Sequence, residues 1–272
     1  MPILNKDMQV CISLAARPSN IGTRFHNFLY DELGLNYAYK AFTTTDLPGA
    51  VAGIRALGIR GCSVSMPFKE AVIPLVDVVE DSAEAIRSVN TVVNDDGVLT
   101  ASNTDYEAVA ALLRTHAVDP AARVVLRGSG GMAKAVTAAF RGAGFRHLTV
   151  VARNTTAGPA LAEQYGFDWV ADEQRAPDAD VLVNVTPLGM RGDDEDTLAF
   201  EQDRVEAAST VFDVVAFPAE TPLVRAGRAA GAQVVTGAEV IALQAARQFE
   251  RYTGVALTDD QVRRASAFSR AE

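Results

Sequence analysis

The chain is poor in several residue types, and each shortage excludes a class of protein. Among 272 residues it has two cysteines, Cys11 and Cys62, which lie far apart in apolar, strand-like contexts. This arrangement argues against a disulfide framework or a zinc site, so we expect two buried free thiols and no bound metal. No apolar run approaches the roughly 20 residues of a membrane-spanning helix, and the first residues show no secretion signal. We therefore expect a cytoplasmic protein with no membrane partner.

Positive charge is also scarce. The chain has 25 lysines and arginines against 34 aspartates and glutamates, a formal net charge of -9. Because binding to a phosphate backbone needs a broad basic face, this charge excludes nucleic acid as the expected partner. An anionic small molecule is still a possible ligand if basic side chains cluster in one place. Only four residues are lysine, and one of them, Lys69, follows the Pro-Phe step of "GCSVSMPFKE".

Short apolar runs alternate with amphipathic helical segments along most of the chain, from "MQVCISLA" near the start to "AQVVTG" near residue 236. This alternation predicts an α/β fold with mostly parallel sheets. One segment, "NTVVNDDGVLTA", predicts an antiparallel hairpin instead. The alternation restarts after Asp105, which suggests a second α/β unit over about 106–236. Two helices follow Gly237 with no later strand, so they must pack on one of the two units.

The glycines of "VVLRGSGGMAKAV" carry the clearest chemical motif. Gly128, Gly130 and Ala133 fit the pattern G-x-G-x-x-G/A, after a predicted strand and before a predicted helix. Glycine at such a turn allows a pyrophosphate to approach the backbone amides at the helix N-terminus. The motif therefore predicts a dinucleotide site. The alternative is a glycine-rich turn with a structural role only.

The end of the next predicted strand, "VVARNTT", indicates which dinucleotide binds. NAD sites usually carry an acidic residue here that binds the ribose hydroxyls, whereas NADP sites place an arginine near the 2'-phosphate. This chain has Arg153, followed by the neutral Asn154 and Thr155. NADP is therefore favoured, with NAD as the alternative cofactor. An ordinary surface arginine at a strand end is the structural alternative for Arg153.

Eight fragments occur in the order found in one enzyme family: "RFHNFLYDELGLNYAYKAF", "SMPFKE", "AIRSVNTVV", "NTDYEAV", "GSGGMAKAV", "NVTPLGM", "FPAETPL" and "LQAARQFERYTG". Over essentially its full length the chain resembles shikimate dehydrogenases. The resemblance implies a substrate-binding domain, residues 1–105 and 237–272, and a Rossmann NADP-binding domain, residues 106–236. It also implies that the C-terminal helices pack back on the first domain. The implied reaction is reversible hydride transfer between NADP and a hydroxyl-bearing ring carbon.

The resemblance assigns the proton chemistry to Lys69 and Asp105. Oxidation of an alcohol needs a group that accepts the hydroxyl proton as the hydride leaves. A lysine can exchange a proton, whereas arginine stays charged, which gives a reason for lysine at position 69. The structural alternatives are a solvated lysine at a helix start, which the helix dipole disfavours, and a helix cap at Asp105.

The resemblance adds further residues to those that the glycine motif and the segment from Arg153 to Thr155 already indicate. The predicted substrate-binding residues are Asn20, Thr23, Ser65, Asn90 and Gln244. The predicted cofactor-binding residues are Gly128, Ser129, Gly130, Gly131, Met132, Ala133, Arg153, Asn154, Thr155, Thr186, Pro187, Met190 and Gly237. Turn chemistry at Asn90 and a solvent-facing position for Gln244 are the structural alternatives.

Several departures from the family pattern fall on the substrate side. The hydroxyl pair that holds the substrate carboxylate in the family aligns with Asn20 and Gly22, and a family tyrosine aligns with Ala216. Glu239 stands where a glycine is expected, and Ala157 replaces a second arginine of the cofactor site. The chain thus looks like a shikimate dehydrogenase-like paralogue acting on shikimate, quinate or a related hydroxy acid, as a monomer or homodimer. The alternatives are a dehydrogenase whose substrate lacks the carboxylate, and a non-catalytic NADP- or metabolite-binding protein.

Overall fold

The computed structural model describes residues 4–271. These residues divide into two compact units, residues 4–104 with 242–271 and residues 105–241. Both units alternate strands with helices, so the predicted α/β class is confirmed. Within residues 4–271, no helix combines the length and the apolarity that crossing a bilayer requires.

The first unit is built on a six-stranded sheet of order β2-β1-β3-β5-β6-β4. Its strands are β1 (Gln9–Leu14), β2 (Tyr37–Phe42), β3 (Gly61–Val64), β4 (Val78–Val79), β5 (Thr91–Asp95) and β6 (Val98–Ser102). Strand β5 runs antiparallel to β3 and β6, and the other pairs are parallel. The predicted hairpin joins β5 to β6 through Asp96 and Gly97. Their φ angles of 51° and 91° suit a two-residue turn.

The helices of this unit cover its sheet. They are α1 (Asn20–Glu32), α2 (Leu47–Ala56), α3 (Phe68–Ala71), α4 (Asp81–Glu84), the part of α10 (Gly237–Thr253) from residue 242 onward, and α11 (Asp259–Arg270). Helix α1 buries Phe25 and Leu29 in a core that includes Phe249 and Tyr252 of α10, and α11 packs against α1. The C-terminal helices therefore pack on the first unit, as predicted. Cys11 and Cys62 are buried free thiols in the same unit.

His26 lies in the middle of this core. Its side chain is completely buried, and its ring stacks on that of Tyr39 at 4.5 Å between centroids. Both ring nitrogens are buried without a hydrogen-bond partner among the described residues. Burial opposes the charged form and lowers the pKa of His26 from 6.5 to about 3. The folded protein therefore keeps this ring neutral at mildly acidic pH.

We predict that His26 makes the first unit acid-sensitive. Below pH 6.5 the unfolded chain binds a proton at this ring and the folded chain does not. The stability that His26 contributes is thus lost as pH falls from 6.5 towards 3, by about 2 kcal/mol at pH 5. Urea unfolding at pH 7 and pH 5 should show a larger loss for the wild type and for the control His147→Phe, an exposed histidine, than for His26→Phe. Equal losses in all three proteins would contradict the prediction.

The second unit is built on a parallel six-stranded sheet of order β12-β11-β10-β7-β8-β9. Its strands are β7 (Val124–Arg127), β8 (Leu148–Val151), β9 (Asp168–Val170), β10 (Val181–Asn184), β11 (Thr210–Asp213) and β12 (Gln233–Thr236). Its helices are α5 (Thr104–Thr115), which starts at the last residue of the first unit, α6 (Gly131–Gly142), α7 (Ala157–Tyr165), α8 (Gln202–Ala207) and α9 (Pro222–Ala229). The strand order reverses between β7 and β10, and sheets of this type bind ligands at the carboxyl ends of the strands at that switch point.

Candidate active site

The glycine-rich loop follows β7 directly at the switch point. Gly128 has a φ of 125°, and a Cβ added to it would lie 2.8 Å from Cγ2 of Val185. No side chain fits there without a shift of the strand end beside it. A Cβ on Gly130 or Gly131, by contrast, would meet nothing within 4 Å. The loop thus leaves open space beside the first amides of α6, where a phosphate group can be bound.

A cavity of about 1260 Å³ opens at this edge of the sheet, between the loops that follow β7, β8, β9 and β10. The predicted cofactor residues that line it are Gly128, Ser129, Gly130, Arg153, Asn154, Thr186 and Pro187. Those that do not line it are Gly131, Met132, Ala133, Thr155, Met190 and Gly237. Gly237 is needed for packing, because a Cβ there would lie 2.4 Å from the carbonyl oxygens of Val214 and Val215.

Two arginines line the cavity, and they differ in their surroundings. Arg127 donates to Glu173 Oε2 at 2.9 Å, and the glutamate is 7% exposed. Arg153 is exposed and forms no ion pair with any residue that the structure describes. Four carboxylates also line the cavity, at Asp172, Glu173, Asp194 and Glu201. Among the described residues that line this cavity, Arg153 is therefore the positive side chain that is left to bind a phosphate.

Asn154 and Thr186 have local structural roles at the rim. Asn154 Oδ1 accepts from the amides of Thr156 and Ala157 at 3.0 and 2.9 Å, which caps the start of α7. Asn184, the last residue of β10, accepts from both the amide and the hydroxyl of Thr186, at 3.0 and 2.6 Å. These contacts hold the backbone of two loops that line the cavity.

In the first unit, Asn90 and Gln244 come together through Thr104. Asn90 is 3% exposed, and its Oδ1 accepts from the Thr104 amide at 2.8 Å and from the Thr91 hydroxyl at 2.8 Å. The Thr104 hydroxyl lies 3.4 Å from Gln244 Oε1. Asn90 therefore contacts a residue that is distant in the sequence, and the partly buried Gln244 lies within reach of the same threonine.

Gln248 belongs to the same network and was missed by the sequence analysis. It is 4% exposed, and its Nε2 donates to Thr91 Oγ1 at 2.9 Å, to the Asn90 carbonyl at 3.1 Å and to Ser63 Oγ at 3.3 Å. The signal was present, because Gln244 and Gln248 are four residues apart on one helix and so share a face. Gln248 fixes the backbone and the side-chain orientation around Asn90.

Lys69 lies in the short helix α3, which begins after the three residues that follow β3, and is half-buried. Its carbonyl accepts from the amide of Val89 at 2.8 Å, which ties it to the segment that leads into Asn90. Asp105 is 8% exposed and follows Thr104, whose amide is held by Asn90. Each predicted acid/base residue is thus anchored by a neighbour of the Asn90 network.

The other predicted substrate residues lie outside this network. Asn20 and Thr23 occupy the first turn of α1, where Asn20 is exposed and the Thr23 hydroxyl is buried without a hydrogen-bond partner in the described part of the chain. A Cβ on Gly22 would lie 3.5 Å from the Tyr39 hydroxyl, which is an ordinary van der Waals distance, so Gly22 lies beside the phenol of Tyr39. Ser65 is exposed just beyond β3.

Glu239 has a structural explanation. Its Oε2 accepts from the amide and the hydroxyl of Thr236, at 2.8 and 2.7 Å, while the Thr236 hydroxyl accepts from the Glu239 amide at 3.3 Å. This reciprocal pair is a capping box at the start of α10. Its other oxygen lies 3.1 Å from His116 Nε2. The extra carboxylate is therefore paired within the second unit.

Comparison with known proteins identifies relatives of the whole chain. The family model of the shikimate dehydrogenase substrate binding domain matches residues 20–92. A shikimate dehydrogenase-like protein of Haemophilus influenzae is 52% identical over 99% of this chain and 100% of its own length. Shikimate 5-dehydrogenase from Thermus thermophilus, solved in complex with NADP(H) and shikimate, is 29% identical. Its TM-score is 0.84, with 96% of this chain and 100% of that chain covered. Quinate dehydrogenase from Corynebacterium glutamicum, solved in complex with NAD, is 27% identical with a TM-score of 0.86, over 96% and 98% of the two chains.

Proposed function

The chain belongs to the shikimate dehydrogenase family, and from that premise we propose that it is an NADP-dependent oxidoreductase. The proposed reaction is reversible hydride transfer between NADP and a ring hydroxyl of shikimate, quinate or a related hydroxy acid. The observation that carries the proposal is the cavity at the switch point, where an open glycine loop and the unpaired Arg153 line the same space. A chain that retains both has kept the means to bind a phosphorylated dinucleotide.

The residues around the cavity fit NADP. The backbone amides that follow Gly128 and Gly130 suit the pyrophosphate. Gly130 has no side chain, so a phosphate can approach these amides closely. Arg153 suits the 2'-phosphate, which a guanidinium binds with charge-assisted hydrogen bonds. When bound, NADP supplies the hydride acceptor. The protein binds and orients it through the loops that contain Gly130, Asn154 and Pro187.

Lys69 and Asp105 handle the proton in this proposal. As the substrate carbon loses its hydride, its hydroxyl must lose a proton, and a positioned lysine with a carboxylate partner can take it. The buried Asn90 network supports this role, since it anchors the backbone beside both residues. Asn90 and Gln244 are proposed to orient the substrate by hydrogen bonds.

The substrate is proposed as a class because the carboxylate end of the family site differs here. Gly22 carries no hydroxyl and lies beside the phenol of Tyr39. Asn20, Thr23 and Ser65 are the remaining polar candidates. This difference favours a hydroxy acid related to shikimate over a strict preference for shikimate itself.

Steady-state absorbance at the reduced nicotinamide band tests the proposal, with shikimate and quinate each offered with NADP⁺ and NAD⁺. We expect saturable reduction of NADP⁺ by at least one acid. Tight NADPH binding without turnover of either acid would refute the proposed substrate class and favour a substrate without a carboxylate, or a binding protein.

We predict that Arg153 sets the preference for NADP. Arg153→Ala should weaken NADPH binding at least about tenfold, because it removes a charge-assisted contact to the 2'-phosphate. NADH binding should be unchanged, since NADH lacks that phosphate. Fluorescence titration measures both dissociation constants, and Arg146→Ala, an exposed arginine outside the cavity, is the control. Equal weakening of NADPH and NADH binding would contradict this assignment.

A further inference from the structure

Asp213 is a buried carboxylate for which the proposed reaction has no direct use. It is the last residue of β11, is 0% exposed and does not line the cavity. Its hydrogen-bond partners in the described chain are uncharged: the Thr221 hydroxyl at 2.6 Å, the Val215 amide at 3.0 Å and Asn184 Nδ2 at 3.0 Å. Burial raises its pKa to about 6. Burial of a carboxylate without a charged partner costs free energy, so this residue type at this position indicates a specific role.

We infer that Asp213 is a positioning residue for the cofactor, acting through the side-chain amide of Asn184. The inference rests on the proposed binding of NADP. Asp213 Oδ1 accepts a hydrogen bond from the Val215 amide, and a carboxylate oxygen has no proton to donate. In its contact with Asn184 it must therefore also be the acceptor. The NH₂ group of Asn184 must therefore face Asp213, and this contact selects one of the two orientations of that amide.

The selected orientation shapes the loop after β10. With its NH₂ group towards Asp213, Asn184 also donates to the Leu188 carbonyl at 3.0 Å. Its oxygen then faces the Thr186 amide and hydroxyl, from which it accepts at 3.0 and 2.6 Å. A flipped amide would set a donor against the Thr186 amide and an acceptor against the Leu188 carbonyl. Three contacts along the loop thus depend on the amide orientation that faces Asp213.

This loop forms one side of the cavity. Thr186, Pro187 and Leu188 all line it, although Asn184 and Asp213 do not. Thr186 also packs against the glycine loop, since a Cβ on Gly128 would lie 3.0 Å from its Cγ2. A change in the loop therefore changes the surface offered to a dinucleotide without removing any group that would touch it.

A purely structural role is the competing explanation. Asp213 also holds Thr221, whose hydroxyl caps α9 by accepting from the Val224 amide at 3.1 Å. If the hydrogen bonds of Asp213 only connected β10, β11 and α9, they would stabilise the second unit and leave the affinity for the cofactor unchanged. The two roles are separated by measuring the NADPH dissociation constant and the unfolding temperature on the same variants.

The experiment uses nicotinamide fluorescence to measure NADPH binding by Asp213→Leu, Asp213→Asn and Asn184→Ala. Asp213→Leu should weaken NADPH binding about tenfold, because the orientation of Asn184 is lost. Asp213→Asn should stay within about threefold of the wild type, since its oxygen can still accept from Val215 and Asn184. If Asp213→Leu does not fold, Asp213→Ser is the second variant, because its shorter side chain cannot reach Asn184. Thr210→Val, at the other end of β11, is the control for changes in the strand and should bind NADPH as the wild type does.

Non-additivity is the decisive readout. Adding Asp213→Leu to Asn184→Ala should weaken NADPH binding no further than Asn184→Ala alone, because both act on one amide. A lower unfolding temperature with an unchanged dissociation constant would overturn the inference in favour of the structural role. Fully additive effects on the dissociation constant would overturn it as well. Failure of the wild type to bind NADPH would instead refute the proposed function on which the inference rests.

Discussion

Replacement of Lys69 by arginine is expected to abolish turnover while NADPH binding stays unchanged. Arginine keeps the positive charge and most of the side-chain length but cannot give up its proton at neutral pH. If Lys69 exchanges the hydroxyl proton, kcat should fall about 10²- to 10⁴-fold. Asp105→Asn should cause a loss of similar size, because an amide cannot take part in the exchange.

The arginine variant separates proton transfer from electrostatic binding. A lysine that merely attracts an anionic substrate could be replaced by arginine with a change in KM and little change in kcat. Turnover of NADP⁺ with the better of shikimate and quinate gives both parameters. Lys6→Arg, at an exposed position, controls for the substitution itself. Retention of more than about a tenth of the wild-type kcat by Lys69→Arg would show that Lys69 is not the proton-exchanging group.

The second large effect is expected from two glycines of one loop that should respond in opposite ways. Gly128→Ala should destabilise the second unit by about 1–3 kcal/mol, because its φ of 125° is strained for alanine and its Cβ would meet Val185. Gly130→Ala should lower the unfolding temperature much less, since its φ is -81° and its Cβ meets nothing within 4 Å, and only the weaker N-cap preference of alanine at the start of α6 opposes it. The methyl group at position 130 should nevertheless weaken NADPH binding about 100-fold, because it fills the space where the pyrophosphate approaches.

Thermal unfolding and NADPH titration on both variants test this pair. The matched design matters because both substitutions add the same methyl group two residues apart. If Gly130→Ala binds NADPH as tightly as the wild type, the open space beside the loop is not the pyrophosphate site. If Gly128→Ala is as stable as the wild type, neither its φ angle nor the contact with Val185 restricts position 128 to glycine.

The sequence could predict the regular elements of the fold because their patterns are local. The β/α alternation, the Asp96-Gly97 turn and the strand-glycine-helix step each depend on a few adjacent residues. The short strands β4 and β9 could not be predicted in this way, because two and three residues carry no periodicity. Their pairing with β6 and β8 exists only once the sheets are assembled.

In the candidate site, too, the residues that belong to local patterns could be predicted and those that depend on distant partners could not. The glycine loop and Arg153 could be read from motif and position, and they line one cavity. The sequence could not predict the contacts of Gln248, Asp213 and the Arg127–Glu173 pair, because their hydrogen-bond partners are distant in the sequence. Glu239 looked like an added charge near the substrate, and it is a helix cap paired with His116. A charged residue within an apolar run of the sequence, such as Asp213 in "TVFDVV", is the local signal of such a buried polar contact.

Transfer of deuterium tests the central claim most directly. NADPD, carrying deuterium at both positions of the carbon that donates the hydride, would be incubated with the protein and the keto acid formed by oxidising shikimate or quinate. The account predicts by mass spectrometry a hydroxy acid carrying one deuterium on the newly reduced ring carbon, formed by the wild type and not by Lys69→Arg. A protein that binds NADPD but gives no labelled hydroxy acid from either keto acid would contradict it.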